Sequence, residues 1–369
     1  MTVSYNYDVC SASVTGFIRL LFRWKGSIWK CVFKELFIWT ILYSMVSFMY
    51  RTPYILTESQ KVTFEDTANY LEKYLKKINI TFILGFFVST VATRWTSILQ
   101  NMGFIESNAL FISSYINGDD DETRMIRRAI LRYLCLSQIL VYRDISLSVR
   151  KRFPTMDSLI KAGYLLEHER AKMEDYNLAF NKYWVPINWA ATLVFTARKS
   201  GRITGDILVN KLMDEIKVFR NNLQMLCNYD WVPIPLVYPQ VILIAVYFYF
   251  AVCLVTRQFI MTTRNIPIKS NIDLFVPVVT MIQFIFFVGW MKVAMALLNP
   301  LGEDDDDFEC NYLANKNLTT SLLIVDKCCG DAPPVKEDQF YESGVVEPLY
   351  PESSVTEDHP LIGSAAMAK

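Results

Sequence analysis

The chain has 369 residues, of which 52% are apolar and 14% aromatic, and its 37 basic residues match 37 acidic ones so that the formal net charge is zero. Such an apolar share is high for a soluble chain of this length, and zero net charge offers nothing to nucleic acid. The apolar residues gather into runs rather than recurring at 3.6-residue spacing, which is the pattern of a membrane protein.

Residues 1–35 set aromatic and basic residues in amphipathic order, as an N-terminal cytosolic or interfacial segment does. They lack a basic start followed by an apolar core, so no cleavable signal peptide is expected. Two shorter apolar runs follow, Leu36 to Tyr50 and Ile78 to Thr93. Each falls short of the roughly 20 residues of an isolated span, and each can cross if its charged ends reach the headgroups or a water-filled lumen. They predict a first transmembrane pair over 36–95. The short loop between them, 51–77, carries five basic and four acidic residues.

The polar block 96–230 is too long for an unstructured loop and predicts a cytosolic helical domain. Asp119-Asp120-Asp121-Glu122 stand ahead of Arg124, Arg127, Arg128 and Arg132, the charge order a helix dipole favours. Those four bases share one face, which either attracts anions or is simply solvated. Tyr183 to Ala197 is uncharged for 15 residues but holds Pro186 and Asn188, and reads as a buried helix of the soluble region. Gly201 to Leu226 reads as another amphipathic helix.

A second transmembrane pair is predicted over 231–298. Trp231 to Thr256 runs 26 residues without charge, and Leu274 to Met291 runs 18 before continuing past Lys292. Four spans place both termini on one side, and the N-terminal 35 residues, with five bases against two acids, lean toward the cytosol. Residues 299–327 follow as an acidic segment and a cytosolic helix. The tail, 328–369, is rich in Pro, Ser and Glu and is expected to be flexible. The eight cysteines show no CxxC or metal-like spacing and are expected as free thiols; Cys328-Cys329 is either acylated or inert. With two histidines and no GxSxG, GxGxxG, P-loop or HExxH motif, nothing points to an enzyme.

Two constellations carry function. Glu303-Asp304-Asp305-Asp306-Asp307 follows the last span and a Pro-Gly turn. Five consecutive acids repel one another unless solvent or a cation intervenes, and carboxylate and carbonyl oxygens suit Ca2+. The run is not an EF-hand, and a solvated acidic linker is the competing reading. The second constellation is Ile78, Phe82 and Phe86, at i, i+4 and i+8, one apolar stripe along a helix. Such a stripe faces lipid or a neighbouring helix, or, when several copies surround an axis, forms a hydrophobic constriction that gates by dewetting. Thr93-Arg94-Trp95 ends that helix at a membrane boundary.

Met1-Thr2-Val3-Ser4-Tyr5, Gly26-Ser27-Ile28, Phe82-Ile83-Leu84-Gly85-Phe86 leading to Thr93-Arg94-Trp95, and Lys151-Arg152-Phe153-Pro154 resemble the bestrophins. So do Tyr229-Asp230-Trp231, Ile234-Pro235-Leu236-Val237-Tyr238 and, above all, Asn299-Pro300-Leu301-Gly302 with its acidic run, Phe308 and Glu309. The likeness runs in order from residue 1 to about 327. It departs at Thr96, where many relatives carry a second Trp, and in the short tail. The resemblance implies an all-α membrane protein of four transmembrane helices plus a large cytosolic helical region, assembling as a homopentamer around one central pore. It implies a calcium-activated channel for chloride and other small anions in the lipid bilayer of the cell membrane, with cytosolic termini. It further implies a pore neck at Ile78, Phe82 and Phe86 and a cytosolic aperture at Ile207. The Ca2+ clasp it implies is made by the side chains of Asp304 and Asp307 with the backbone carbonyls of Cys10, Ala296 and Asn299. A transporter of small organic anions on the same spans, or a regulatory subunit of another channel, are the rival readings.

Overall fold

The computed structural model describes residues 5, 13–260, 276–338, 340–342 and 344, and these form fourteen helices and no strand. In chain order they are α1 (Val14–Leu21), α2 (Ile28–Arg51), α3 (Glu58–Leu75), α4 (Ile80–Gln100), α5 (Glu106–Tyr115), α6 (Asp121–Ile145) and α7 (Leu147–Arg152). Then come α8 (Met156–Lys161), α9 (Glu167–Asp175), α10 (Trp184–Lys199), α11 (Asp206–Trp231), α12 (Val237–Thr256), α13 (Val278–Leu298) and α14 (Cys310–Lys327). By length and composition α2, α4, α12 and α13 can cross a membrane, the four spans expected from the sequence.

The spans differ from the apolar runs at their ends, for electrostatic reasons. α2 starts eight residues before Leu36 because Ser27 caps it and because its charged first turns find partners. Glu35 pairs with Lys292 of α13 and accepts a hydrogen bond of 3.0 Å from the Tyr247 hydroxyl of α12. A charge at membrane depth is tolerated when it is paired in this way. The four helices share a core in which the rings of Trp39, Phe250 and Phe284 meet edge-on or tilted, the last two with centroids 4.7 Å apart. Trp39 also donates its indole N–H to the Phe250 carbonyl at 2.9 Å, so its buried donor is satisfied. At Gly289 of α13 an added Cβ would run into the Ile28 side chain, so a small residue sets the approach of α13 to α2.

Residues 58–75, expected as part of a short loop, are a helix. Thr57 and Gln60 form a capping box at its start. Two of its acids are buried. Tyr50 at the end of α2 donates to Glu65 at 2.6 Å, and Arg257 after α12 lies 3.5 Å from Glu72. The helix thereby lashes the ends of α2 and α12 together.

The soluble region is built around α6, whose buried side chains meet α5, α10, α11 and α14 in one core. Arg124, Arg127, Arg128 and Arg132 of α6 are each engaged by an acid or a carbonyl, and only Arg124 and Arg128 stay half exposed on the solvated face. Arg127 donates to the carbonyls of Ile116 and Gly118, at 2.8 and 3.0 Å; Arg124 and Arg128 pair with Asp326 of α14; Arg132 pairs with Glu169 of α9. A buried polar knot holds the end of α4 in place. Gln138 donates to the carbonyls of Met102 and Gly103, and Asn317 of α14 donates to Gly103 at 2.8 Å. Gly103 itself needs to be glycine, since φ is +80° and a Cβ would press on Gln138.

The Arg132–Glu169 pair yields a stability prediction. Burial opposes ionisation of Glu169, but hydrogen bonds from Arg132, the Leu166 amide and the Tyr133 hydroxyl outweigh it and hold the carboxyl below the usual range. Glu169→Ala, which strands the largely buried Arg132 guanidinium, should cost about 3 kcal/mol in thermal unfolding. Glu58→Ala at the exposed Lys61 pair should cost about 1 kcal/mol or less. Because the folded carboxyl is held below its unfolded value of about 4.3, the contribution is fully present above that pH and is lost as pH falls below it through the folded value.

Residues 330–369 form a separate unit. Within it the Gly344 amide closes a turn on the Phe340 carbonyl at 3.0 Å. Residues 345–369 of the tail expected to be flexible lie outside the described residues.

Candidate functional site

The acidic run sits at the C-terminal end of α13, where the last carbonyls of a helix lack intrahelical partners and the dipole is negative. Acids are unfavourable there, so the loop must recruit cations. Lys151 from α7 places its ammonium 2.6 Å from both oxygens of Glu303. Lys30 from the first turn of α2 pairs with Asp305, which holds that carboxyl below the usual range.

Asp304 and Asp307 are arranged differently. The Asp304 amide donates to Asp307 Oδ2 at 2.7 Å, the Asp307 amide donates back to the Asp304 carbonyl at 3.2 Å, and the Phe308 amide closes on Pro300 at 2.8 Å. Asp307 is buried and Asp304 exposed. Burial pushes the Asp307 carboxyl up, and the charges of Asp304 and Asp306 push the same way against the backbone hydrogen bond. Gly302 completes the curl: a Cβ there would lie 2.8 Å from Asp307 Oδ2 and 3.6 Å from the Asn299 carbonyl oxygen.

Of the expected clasp residues, Asn299 and Asp307 therefore come together, Asp304 closes the loop on Asp307, and Ala296 lies in the last turn of α13. Cys10 lies outside the described residues. Among the described residues no three His, Cys, Asp or Glu side chains gather into a metal cage. A cation at this loop would thus rest on two carboxylates plus backbone carbonyls. That all-oxygen donor set is of the kind that Ca2+ takes.

The loop touches α4. The Phe308 ring lies 5.0 Å from that of Trp95, near the end of α4. Beside it the Arg94 guanidinium donates to the carbonyls of Tyr229 and Val232 and covers the Tyr229 ring at 5.1 Å. The C-terminal part of α4 is thus pinned to the acidic loop and to the end of α11. Nothing in the sequence marked the Trp95–Phe308 contact or the lysine partners, since the residues lie far apart in the chain.

α4 opens at Ile80, with the Asn79 side chain accepting the Phe82 amide at 3.3 Å. The expected stripe is therefore two residues on the helix, Phe82 and Phe86, with Ile78 just ahead of the cap. The Asn79 carboxamide competes for the first-turn amides and sets the start there. Ile78, Phe82 and Phe86 are 41%, 61% and 59% exposed, and the two rings meet edge to face with centroids 4.7 Å apart. The opposite side of α4 (Leu84, Phe87 and Val91) is packed in the membrane core. Below the phenylalanines the exposed face continues as Ser89, Thr93 and Thr96. Ile207, in the first turn of α11, is 73% exposed.

Comparison with known proteins places this geometry. The family profile described as "Bestrophin, RFP-TM, chloride channel" matches residues 1–327. Bestrophin homolog 22 of Caenorhabditis elegans is 47% identical over 382 residues, covering 99% of this chain and 76% of that protein. Bestrophin homolog 24 of the same organism is 45% identical over 370 residues, covering 100% of this chain and 58% of that protein. The crystal structure of a bacterial bestrophin homolog from Klebsiella pneumoniae is similar in fold, with a TM-score of 0.58 over 81% of this chain and 100% of that one, at 16% identity.

Proposed function

The chain belongs to the bestrophin family, and on that premise we propose that it is a calcium-activated channel for chloride and similar small anions. In this reading five copies surround one pore in the cell membrane, with both termini in the cytosol. Ile78, Phe82 and Phe86 of each copy form the neck and Ile207 the cytosolic aperture. Asp304, Asp307 and the carbonyls of Cys10, Ala296 and Asn299 hold Ca2+, which would supply the positive charge that the C-terminal end of α13 lacks.

The observation that carries the reading is the path from the acidic loop to the exposed phenylalanines. Trp95 and Phe82 stand 13 residues apart on one helix, about 20 Å at 1.5 Å per residue. A shift of the loop at Phe308 moves one end of a rigid rod whose other end carries the neck. An apolar ring closes by dewetting, and the positive edges of aromatic rings tolerate anions.

Two measurements test it. Mass determination in detergent should give five copies of the 42.8 kDa chain; a conducting monomer would contradict a central pore. Purified protein in liposomes should pass chloride down its electrochemical gradient with no coupling ion. Flux that requires a coupled ion would favour the organic-anion transporter, and no flux at all would favour a regulatory subunit.

The path gives its own prediction. Phe308→Leu should leave Ca2+ binding within about threefold of the parent, because the oxygen ligands remain, yet reduce the maximal calcium-evoked current several-fold. Calcium titration beside current recording checks this; equal currents would show that the ring contact transmits nothing.

A further inference from the structure

We propose that the corner between α1 and α2 is a binding site for an anionic phospholipid. A cavity of about 640 Å³ opens there, walled by Val14, Phe17, Ile18 and Leu21 of α1 and by Ile28 and Trp29 of α2. Arg23 and Lys25 also line it, with Asp306 the single acid among its described lining residues. The corner is built rather than loose. Gly26 takes φ of 66°, Ser27 donates to the Trp24 carbonyl at 2.7 Å, and the Trp29 indole donates to the Leu21 carbonyl at 2.7 Å.

Three features select the occupant. α1 buries none of its residues, and Val14, Phe17, Ile18 and Leu21 are all more than half exposed. An apolar helix face of this kind beside a span lies at the depth where acyl chains begin. The two bases at the same corner complement a negative headgroup, as basic residues next to a membrane helix do. A soluble anion would not need the apolar wall, and a zwitterionic lipid would not need the bases.

The site also adjoins the acidic loop. Asp306 lines the cavity, the Gly26 backbone hydrogen-bonds Asp305, and Lys30 pairs with Asp305. On the calcium-channel reading above, a bound anionic lipid draws the basic corner toward itself and shifts the calcium response. Binding itself is independent of that reading and is measured without current.

The test is native mass spectrometry of the purified full chain, incubated with equal amounts of dioleoyl phosphatidylserine and dioleoyl phosphatidylcholine. Phosphatidylserine adducts should dominate, and Arg23→Gln with Lys25→Gln should lower that preference on the order of tenfold. Phe17→Ser should lower adducts of both lipids. Neither change touches a buried residue, and the assembled mass in the same spectrum reports folding. Equal adducts of the two lipids in the parent would overturn the proposal, as would a preference that survives the double change. A disulfide between two chains that forms only with Phe17→Cys would show a second copy covering this face, and would overturn it too.

Discussion

With Ile78, Phe82 and Phe86 all replaced by alanine, the channel should conduct in the absence of calcium. Each of these side chains is 41% or more exposed in the single chain, and the side of α4 that holds the fold together is the opposite one, with Leu84, Phe87 and Val91. In the proposed pentamer, truncation therefore widens the ring without hollowing a core. A wider and less apolar constriction stays wet, so the calcium-driven step is no longer required. If instead these residues packed as core, each truncation would cost about 2–5 kcal/mol and folded protein would be lost. Currents at zero and saturating calcium, recorded beside pentamer yield, separate the two. Well-assembled protein that stays shut without calcium would refute the neck as the gate. Anion preference should largely survive, since a hydrophobic ring sets a barrier without reading charge strongly.

Removing the charge of either expected ligand should shift calcium activation to higher concentration, on the order of tenfold or more for Asp304→Asn and for Asp307→Asn. A cation short of one carboxylate loses both attraction and an oxygen of the right hardness. The two residues should differ when changed to alanine. Asp307→Ala also deletes the acceptor for the Asp304 amide and leaves a void against Gly302, so the loop itself should lose its shape. Asp304→Ala keeps its backbone bonds and should lower affinity with the loop intact. Asp305→Asn should matter less, because its carboxylate is already committed to Lys30, and Asp306→Asn less again, because it turns toward the α1–α2 corner. Calcium dose–response curves decide; parent-like curves for Asp304→Asn and Asp307→Asn would remove the clasp from these residues.

The four spans were legible because apolar runs of that length have few other uses. Their ends were not. Lys30, Lys34 and Glu35 look like a polar boundary in one dimension, yet Glu35 is matched by Lys292 and Tyr247, and Lys30 by Asp305, more than 200 residues away. α3 was missed for a related reason: its mixed charges read as part of a short loop, whereas Glu65 and Glu72 are buried against Tyr50 and Arg257. The arginines of α6 show the same limit, since a row of bases at helical spacing does not say which acids and carbonyls will meet it. At the candidate clasp, the acidic run was visible but the order within it was not. Which carboxylate turns inward depends on Gly302 and on the Asp304 amide. Backbone-carbonyl ligands carry no side-chain signature at all, so Ala296, Asn299 and Cys10 could come only from the family resemblance.

The most direct test of a calcium-controlled anion pore is recording from the purified chain in a planar bilayer under a chloride gradient while free calcium is stepped. The expected result is unitary current that is silent without calcium, opens as calcium rises and reverses near the chloride equilibrium potential. Current that ignores calcium, or that reverses near the cation potential, would contradict it.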